Sequence, residues 1–244
     1  MYDVYEALVL RSVKYKEADL ILTVLTAERG LLTVTARGVR RKGSAMAAAV
    51  QLFSYVKMTL YGRHGHLYIK ETEILELFAG LRNDIEDMAL AGWFVELAGT
   101  LSAEEIPAAE LHPLTLGALY ALANGLREPA LIKAAYEFRA MAESGYAPSL
   151  DGCAACGAEH PAEPLFDARN GSVYCRTCSS GEDTQPLAAA ALAAMRHAVT
   201  KDIRRFCAFA LDDAEPFAHA AEAYLRTHLD AQFPALAFYH SVKM

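Results

Sequence analysis

The sequence contains no hydrophobic run that is long enough to cross a bilayer. Its longest bland stretch, LAAAALAAM ahead of Arg196, is too short and too weakly apolar for a transmembrane helix. The first ten residues, MYDVYEALVL, carry no basic region before an apolar run, so they do not resemble a secretory signal. These absences predict a cytoplasmic protein without membrane contact.

The sequence also lacks the motifs of the common nucleotide, cofactor and zinc-hydrolytic enzymes. It has no Walker lysine motif, no G-x-G-x-x-G and no H-x-E. Its eight histidines are scattered, and no nucleophile–base pair or pair of catalytic carboxylates stands out. We therefore predict that the protein is not an enzyme and has no small-molecule substrate.

Cationic residues are in the minority, and they are unevenly distributed. The formal net charge is -7. Residues 1–80 hold 11 Lys and Arg against 8 Asp and Glu, a net of +3, whereas the rest holds 12 against 22, a net of -10. The stretch ARGVRRKGS, residues 36–44, concentrates this positive charge and is called the basic loop below. The split predicts that the N-terminal part meets an anion.

The first 76 residues follow strand patterns. DLILTVLT and GLLTVTAR are separated by AERG, and LFSYVKMTLYG and HLYIKETEIL flank GRHG, which predicts two hairpins after a first strand. The basic loop and a short Ala-rich turn of helix separate the hairpins. Five strands of this size predict a small N-terminal barrel of the OB type, and an SH3-like barrel stays open as an alternative.

The remainder follows helical patterns around a short insert. NDIEDMALAG begins with an Asn cap at Asn83, and later segments continue with helical spacing. We predict an α+β multidomain protein, with an OB domain over residues 1–80, an α-helical domain over 81–150 and 182–244, and a zinc-ribbon insert over 151–181. Cys207, in RRFCAFAL, is expected in a helix as a buried apolar residue.

Four of the five cysteines lie in the insert in the pattern C-x2-C-x18-C-x2-C. The four are Cys153, Cys156, Cys175 and Cys178. This spacing is typical of a four-thiolate zinc site, and Asn170-Gly171 between the pairs predicts a hairpin turn. Disulfides are disfavoured in a cytosolic chain. Four thiolates fill a tetrahedron and leave no place for water, so we predict one structural Zn²⁺ per chain.

The predicted barrel interleaves aromatic and cationic side chains on its outer face. Strand alternation points Leu32, Val34 and Ala36 inward, and likewise Val56, Met58 and Leu60. The outward set, which we predict to bind nucleic acid together with the basic loop, is Tyr55, Lys57, Tyr61, Tyr68 and Lys70 from the strands and Arg37, Arg40, Arg41 and Lys42 from the loop. Bases stack on rings and phosphates pair with cations in single-strand binding. Such residues are also common on any half-exposed barrel, so the pattern alone leaves both interpretations open.

The order of parts resembles the RecO family of bacterial recombination mediators. The resemblance rests on D-x-x-x-x-x-L-T-x-x-x-G, which begins at Asp19 and ends at Gly30, on the ARG and basic loop, and on the Cys insert with the RHAV helix after it. It implies a DNA repair and recombination protein of the RecFOR pathway, located in the bacterial cytoplasm at the nucleoid. RecO-like proteins bind single- and double-stranded DNA, anneal complementary strands, and with RecR help load RecA onto DNA coated by single-stranded DNA-binding protein.

The resemblance also implies a helical-domain site for the acidic C-terminal tail of that coating protein. A site of this kind needs an apolar groove rimmed by cations, and REPALIKAAYEFRAM offers Arg127, Lys133 and Arg139. Their spacing of six residues prevents all three from sharing one helical face. The main alternative function is a zinc-ribbon adaptor that grips acidic protein partners and makes no contact with DNA.

Overall fold

The computed structural model describes residues 2–161, 163–179 and 184–243. Its strands are β1 Tyr2–Tyr15, β2 Asp19–Thr26, β3 Gly30–Ala36, β4 Tyr55–Arg63, β5 His66–Glu76, β6 Ser149–Cys153, β7 Pro164–Asp167, β8 Ser172–Cys175 and β9 Thr184–Pro186. Its α-helices are α1 Ile85–Leu101, α2 Leu111–Ala123, α3 Pro129–Glu143, α4 Ala189–Thr200, α5 Glu215–His228 and α6 Pro234–Val242. The predicted α+β class, with a barrel followed by helices and a cysteine-bearing β insert, is confirmed.

The chain divides into two compact units. One unit comprises Met1–Ala123 and Phe238–Met244, and the other comprises Asn124–Ala237. The proposed three-part division at residues 80, 150 and 181 stays a prediction, and its last boundary, at 181–182, lies outside the described residues. Within the described ranges, none of the helices combines the length and the apolar character that a membrane span requires.

The first unit contains a closed barrel with the strand order β1-β2-β3-β5-β4. β1 is long enough to pair with β2 along its second half and with β4 along its first half. β3 and β5 run parallel and pair only through Val34 with Leu67 and Thr35 with Tyr68. This Greek-key order is that of an OB barrel, and it decides between the two barrel types that the sequence left open.

The barrel interior is built by the expected alternation. Leu32, Val34 and Ala36 of β3 are buried, and so are the alternate residues Val56, Met58 and Leu60 of β4. The side chains between them point outward because successive strand residues face opposite sides. The prediction of which residues face outward on β3 and β4 is therefore confirmed.

Two local predictions on this unit are wrong. The Ala-rich segment after the basic loop forms successive turns, with bonds such as Ala47 N–H to Ser44 C=O at 3.2 Å, and no helix. Ala49 and Val50 are buried in the barrel core. Their burial holds the segment in a series of turns, although its alanine-rich composition favours a helix. The N-cap of α1 is Asp84, one residue after the expected Asn83, and its carboxylate accepts the Glu86 N–H at 2.7 Å.

The second unit packs three helices against the cysteine-bearing sheet, whose strand order is β6-β8-β7-β9. Phe138 of α3 is the centre of an aromatic core. Its ring lies 5.9 Å from that of Phe166 on β7, 5.7 Å from that of Phe217 and 5.9 Å from that of Tyr224 on α5. Since Phe166 is fully buried there, the small sheet is anchored to α3 and α5 by apolar packing.

Candidate nucleic-acid interface and metal centre

The outer face of the barrel carries a lateral row of side chains set by the strand registers. Tyr2 of β1 lies opposite Tyr61 of β4, Tyr61 lies opposite Tyr68 of β5, and Tyr68 lies opposite Thr35 of β3. Residues that pair directly across strands share a face and bring their Cβ atoms within about 5 Å. Three tyrosines from three strands are therefore neighbours on one surface.

The rings in this row contact one another and two cations. The Tyr61 and Tyr68 rings stack at 5.4 Å with 25° between their planes, and Tyr2 meets Tyr61 edge-on at 6.3 Å. The Arg37 guanidinium lies 4.3 Å from the centre of the Tyr68 ring, and Lys70 Nζ lies 4.1 Å from that of Tyr2. These five residues are called the aromatic–cationic row. Four of them were expected on this face, whereas Tyr2 was not.

A depression of about 140 Å³ lies beside Arg37 and Tyr68. Its wall includes Lys16 of the β1–β2 turn and His66 at the start of β5, next to the β4–β5 turn, together with Ile21 of β2. These two turns and the outer face of strands 2 and 3 are where OB barrels hold oligonucleotides. The row therefore ends beside the surface that carries the ligand in oligonucleotide-binding OB barrels.

The basic loop is held at its base and open at its tip. Asp19 accepts the Gly38 N–H at 2.7 Å, and Arg40 donates to the carbonyl oxygen of Glu17 at 2.8 Å. Gly38 and Gly43 both adopt left-handed backbone angles, with φ of 65° and 80°, which glycine tolerates best. Arg41 and Lys42 are exposed. One cation thus braces the loop, and the next two are available to an anion.

Tyr55 and Lys57 lie away from the aromatic–cationic row. Tyr55 is six residues before Tyr61 on β4, which is about 20 Å along a strand. Its hydroxyl donates to Glu6, and burial together with this bond raises the pKa of Tyr55. Lys57 lies opposite Glu6 on one side and Glu73 on the other. This end of the outer face mixes charges of both signs.

The four insert cysteines form one cluster, called the cysteine cluster below. Their sulfur atoms all lie within 4.8 Å of one another, and Cys175 Sγ is 3.8 Å from the Sγ atoms of both Cys153 and Cys156. A tetrahedron with metal–sulfur bonds of about 2.3 Å has sulfur–sulfur edges of about 3.8 Å. None of the five cysteines forms a disulfide. The cluster therefore fits a tetrahedral metal ion.

Local turns present these sulfurs. The first knuckle, residues 153–157, closes through the Gly157 N–H to the Cys153 carbonyl at 2.8 Å, and Gly157 has the expected positive φ of 75°. The Cys175 N–H donates to Cys153 Sγ at 3.3 Å, and this bond is the main reason that the pKa of Cys153 falls to about 6. Between the pairs, β7 and β8 form the expected hairpin, with Gly171 in its turn.

The three cations expected to rim a partner groove have internal contacts, and only Lys133 and Arg139 lie on a helix, since Arg127 precedes α3. Lys133 is 3% exposed and binds Glu137 at 2.7 Å and Glu222 at 3.0 Å. Arg139 is 9% exposed and donates to the carbonyl oxygens of Val199 and Lys201. Arg127 is exposed and donates to the Phe209 carbonyl at 3.2 Å. The partner site at these residues stays a prediction, and the burial of Lys133 and Arg139 weighs against it.

The structure places Cys207 differently from the sequence prediction and draws attention to His112, for which the sequence made no prediction. Cys207 lies in a turn after a short 3-10 segment and is only partly buried, and this burial raises the pKa of its thiol. His112 of α2, which the sequence gave no reason to single out, is 5% exposed and lies against the Tyr55 ring at 5.8 Å. Its Nε2 atom has no hydrogen-bond partner among the residues that the structure describes, and burial lowers its pKa to about 4.

Fold and site together define an OB-barrel protein that has an aromatic and cationic outer face and a helical unit with a tetrahedral cysteine cluster. Family models described as Recombination protein O N terminal and Recombination protein O C terminal match residues 1–78 and 82–237. The chain belongs to the Recombination protein O family.

Curated relatives agree with this placement. The DNA repair protein RecO of Anaeromyxobacter sp. (strain K) is 38% identical over 191 residues, which cover 77% of this chain and 75% of the relative. The DNA repair protein RecO of Symbiobacterium thermophilum is 33% identical over 209 residues, which cover 84% of this chain and 82% of the relative. Both matches extend over most of each chain, as the sequence resemblance predicted.

Proposed function

We propose that this protein is a recombination mediator that binds single- and double-stranded DNA on its barrel and anneals complementary strands. With RecR, it would help load RecA onto DNA coated by single-stranded DNA-binding protein. The observation that carries the DNA-binding part is the aromatic–cationic row, in which three tyrosine rings and two cations from four neighbouring segments share one exposed face. The protein acts by binding and positioning strands, without bond-making chemistry of its own, in the bacterial cytoplasm at the nucleoid.

The row suits a flexible strand because it offers three adjacent rings with a cation at either end. Each base has a π-face, so stacking on Tyr2, Tyr61 or Tyr68 favours single strands without selecting a sequence. Arg37 and Lys70 already sit over two of these rings, where their charges are close to any phosphate that follows a stacked base. Binding at this face is therefore expected to depend on salt and to be indifferent to base identity.

The basic loop adds phosphate contacts next to the row. Arg40 and Asp19 fix the base of the loop, so Arg41 and Lys42 extend from a braced turn and lose less conformational freedom when they bind. A duplex presents a denser line of phosphates than a single strand does. The loop is the part of the face that we expect to serve both kinds of DNA.

We assign one Zn²⁺ per chain to the cysteine cluster. Four thiolates in a tetrahedron are the ligand set of structural zinc sites, and they leave no position for a reacting water. Cys153 and Cys175 would bind from the ends of β6 and β8, while Cys156 and Cys178 would bind from the two following turns. When bound, the ion would cross-link the first knuckle to the second knuckle, which is the turn from Cys175 to Cys178. This link would stabilise the small sheet.

The test is fluorescence anisotropy of a labelled single-stranded oligonucleotide over a salt series. We expect the affinity to fall steeply with salt. Replacing Arg37, Arg40, Arg41 and Lys42 by Ala should flatten the log–log slope by about 2, since Arg37, Arg41 and Lys42 each contribute about 0.7 per single-strand phosphate contact and Arg40 braces the loop. The loss should be equal for all sequences.

Lys57→Ala is the matched control, because Lys57 lies on the same strand as Tyr61 but between Glu6 and Glu73. It should leave the slope within about 0.5 of the wild-type value. Absence of binding at low salt would refute the DNA-binding proposal and favour an adaptor that binds acidic proteins. Sequence-selective loss in the quadruple variant would contradict a phosphate role for the loop.

A further inference from the structure

Arg196 of α4 holds both ends of the first knuckle of the cysteine cluster. Its Nε donates to the Leu150 carbonyl at 2.6 Å, and its Nη2 donates to the carbonyls of Asp151 at 2.9 Å and Glu159 at 2.8 Å. Leu150 and Asp151 precede Cys153, and Glu159 follows Cys156. One planar guanidinium therefore bridges the chain entering the knuckle and the chain leaving it.

We propose that Arg196 is a positioning residue for the metal centre, which preorganises the Cys153 and Cys156 sulfurs and couples metal binding to α4. This inference rests on the metal proposed for the cysteine cluster. Arg196 donates to backbone carbonyls on either side of the two cysteines, so it acts through the backbone that carries the two thiolates. Groups that orient metal ligands from outside the coordination shell commonly change metal affinity by 10- to 100-fold.

The chain segments before and after the first knuckle lie close together, and Arg196 binds to both of them. The Cys153 N–H donates to the Ala158 carbonyl at 2.9 Å, and a Cβ at Gly152 would lie 3.0 Å from that same oxygen. The two chain segments are therefore close together at Gly152, and the side chain of a larger residue at this position would crowd the Ala158 carbonyl. Arg196 adds three charge-assisted hydrogen bonds on the same pair of segments, and such bonds are stronger than neutral ones.

The second knuckle has no equivalent support from its own arginine. Arg176 lies between Cys175 and Cys178, but its side chain is 76% exposed and pairs with the Glu163 carboxylate at 3.1 Å. An exposed pair of this kind contributes little. Arg176 is therefore a matched control, since it is an arginine in the insert that does not hold the knuckle backbone.

The coupling continues from α4 to α3. Arg139 of α3 donates to the carbonyl oxygens of Val199 at 2.9 Å and Lys201 at 2.5 Å, at the C-terminal end of α4. The helix is therefore tied to the first knuckle through Arg196 and to α3 through Arg139. Loss of the metal should make the first knuckle more mobile. The carbonyl acceptors of Arg196 should then be less well fixed, and so should α4, which Arg196 ties to them.

The test is the rate at which the zinc-loaded full-length chain releases Zn²⁺ to an excess of a chromogenic chelator. We expect Arg196→Gln to release zinc about tenfold faster than the wild type. Arg196→Lys, which keeps the charge but not the planar fork, should release it at an intermediate rate. Arg176→Gln should stay within about twofold of the wild type. Equal release rates for the wild type, Arg196→Gln and Arg196→Lys would overturn the proposal.

Hydrogen exchange of the wild-type chain provides a second test that needs no folded variant. Removal of zinc should increase exchange in α4 more than in α2, which lies in the other unit. Equal changes in the two helices would overturn the coupling. A wild-type chain that carries no metal would instead refute the metal proposal itself, so the two failures are distinguishable.

Discussion

Tyr61 and Tyr68 lie directly opposite each other on β4 and β5, and their rings stack at 5.4 Å. Arg37 covers the ring of Tyr68 at 4.3 Å, so Tyr68 contacts both another ring and a cation of the row. This double contact gives Tyr68 a fixed orientation in the free protein. A ring that is already oriented loses little entropy when a base stacks on it.

Tyr68→Ala should weaken binding of single-stranded DNA by about 1–3 kcal/mol, because one base loses its stacking partner and Arg37 loses the ring that supports it. Tyr68→Phe keeps the ring and should bind like the wild type. The measurement is a titration by fluorescence anisotropy at fixed salt, with unfolding curves to confirm that each variant is folded.

Tyr55→Ala is the control for this prediction, since Tyr55 lies about 20 Å away along β4 and bonds to Glu6. It should change the affinity by less than about threefold. Equal losses for Tyr55→Ala and Tyr68→Ala would mean that stacking is spread over the whole outer face and that the row has no special role.

Removal of metal ligands should destabilise the second unit. Cys153→Ala with Cys156→Ala removes both sulfurs of the first knuckle, so we expect about one zinc per wild-type chain and none in the double variant. Cys207→Ala is the control, because Cys207 lies outside the cysteine cluster. Elemental analysis of protein purified without added zinc makes the measurement, and a double variant that retains zinc would refute the cluster as its site.

The sequence alone predicts the parts of the site that depend on local spacing. The four cysteines follow a fixed motif, so their clustering was correctly predicted. Leu32, Val34 and Ala36 alternate with outward residues, so their burial in the barrel was also correctly predicted. Tyr2 was missed because only the pairing of β1 with β4 brings it beside Tyr61. Register between distant strands is a tertiary property, and no local pattern near Tyr2 encodes it.

Burial of charge was the other property that the sequence concealed. Lys133 and Arg139 look like ordinary surface cations on a helix, because lysine and arginine are rarely buried unless they are paired. Each has a local carboxylate four residues on, but the partners that draw them inward are distant: Glu222, 89 residues further on, and the carbonyl oxygens from Ala198 onward, about 60 residues further on. Helical spacing could exclude a common face for the three cations, but it could not show that two of them point into the core.

His112 should make the stability of the first unit depend on pH. Burial holds its pKa at about 4 in the folded chain, against about 6.5 when unfolded, although the nearby Glu6 carboxylate acts in the opposite direction. Below pH 6.5 the unfolded chain therefore takes up a proton that the folded chain does not, so stability falls as the pH falls towards 4. This term corresponds to a loss of about 3 kcal/mol over that range.

Denaturant unfolding followed by Trp93 fluorescence at pH 7 and pH 4.5 measures this loss, since Trp93 is the single tryptophan and is buried in α1 of the same unit. His112→Gln should reduce the difference in unfolding free energy between the two pH values by about 2–3 kcal/mol. The exposed turn residue His64 provides the control, and His64→Gln should leave the difference unchanged. An identical pH dependence in the wild type and His112→Gln would contradict the assignment.

Lys133 should contribute more to the stability of the second unit than an exposed cation would. Burial disfavours its charge, but Glu137 at 2.7 Å and Glu222 at 3.0 Å outweigh burial and raise its pKa, so the ammonium stays charged inside the protein. Lys133→Met removes the charge and leaves the Glu137 carboxylate in the interior without this partner. Breaking a buried pair in this way costs about 3–5 kcal/mol.

Lys133→Met with Glu137→Leu replaces both charges by apolar groups, and we expect it to be more stable than Lys133→Met alone, because no buried carboxylate then loses its ammonium partner. Glu222 keeps Arg226 as a partner at 2.9 Å in both variants, so it does not bias the comparison. Calorimetric unfolding of the zinc-loaded chains provides the free energies. A double variant less stable than the single variant would show that the ion pair itself, and not the avoidance of a carboxylate that has lost its ammonium partner, stabilises the packing of α3 on α5.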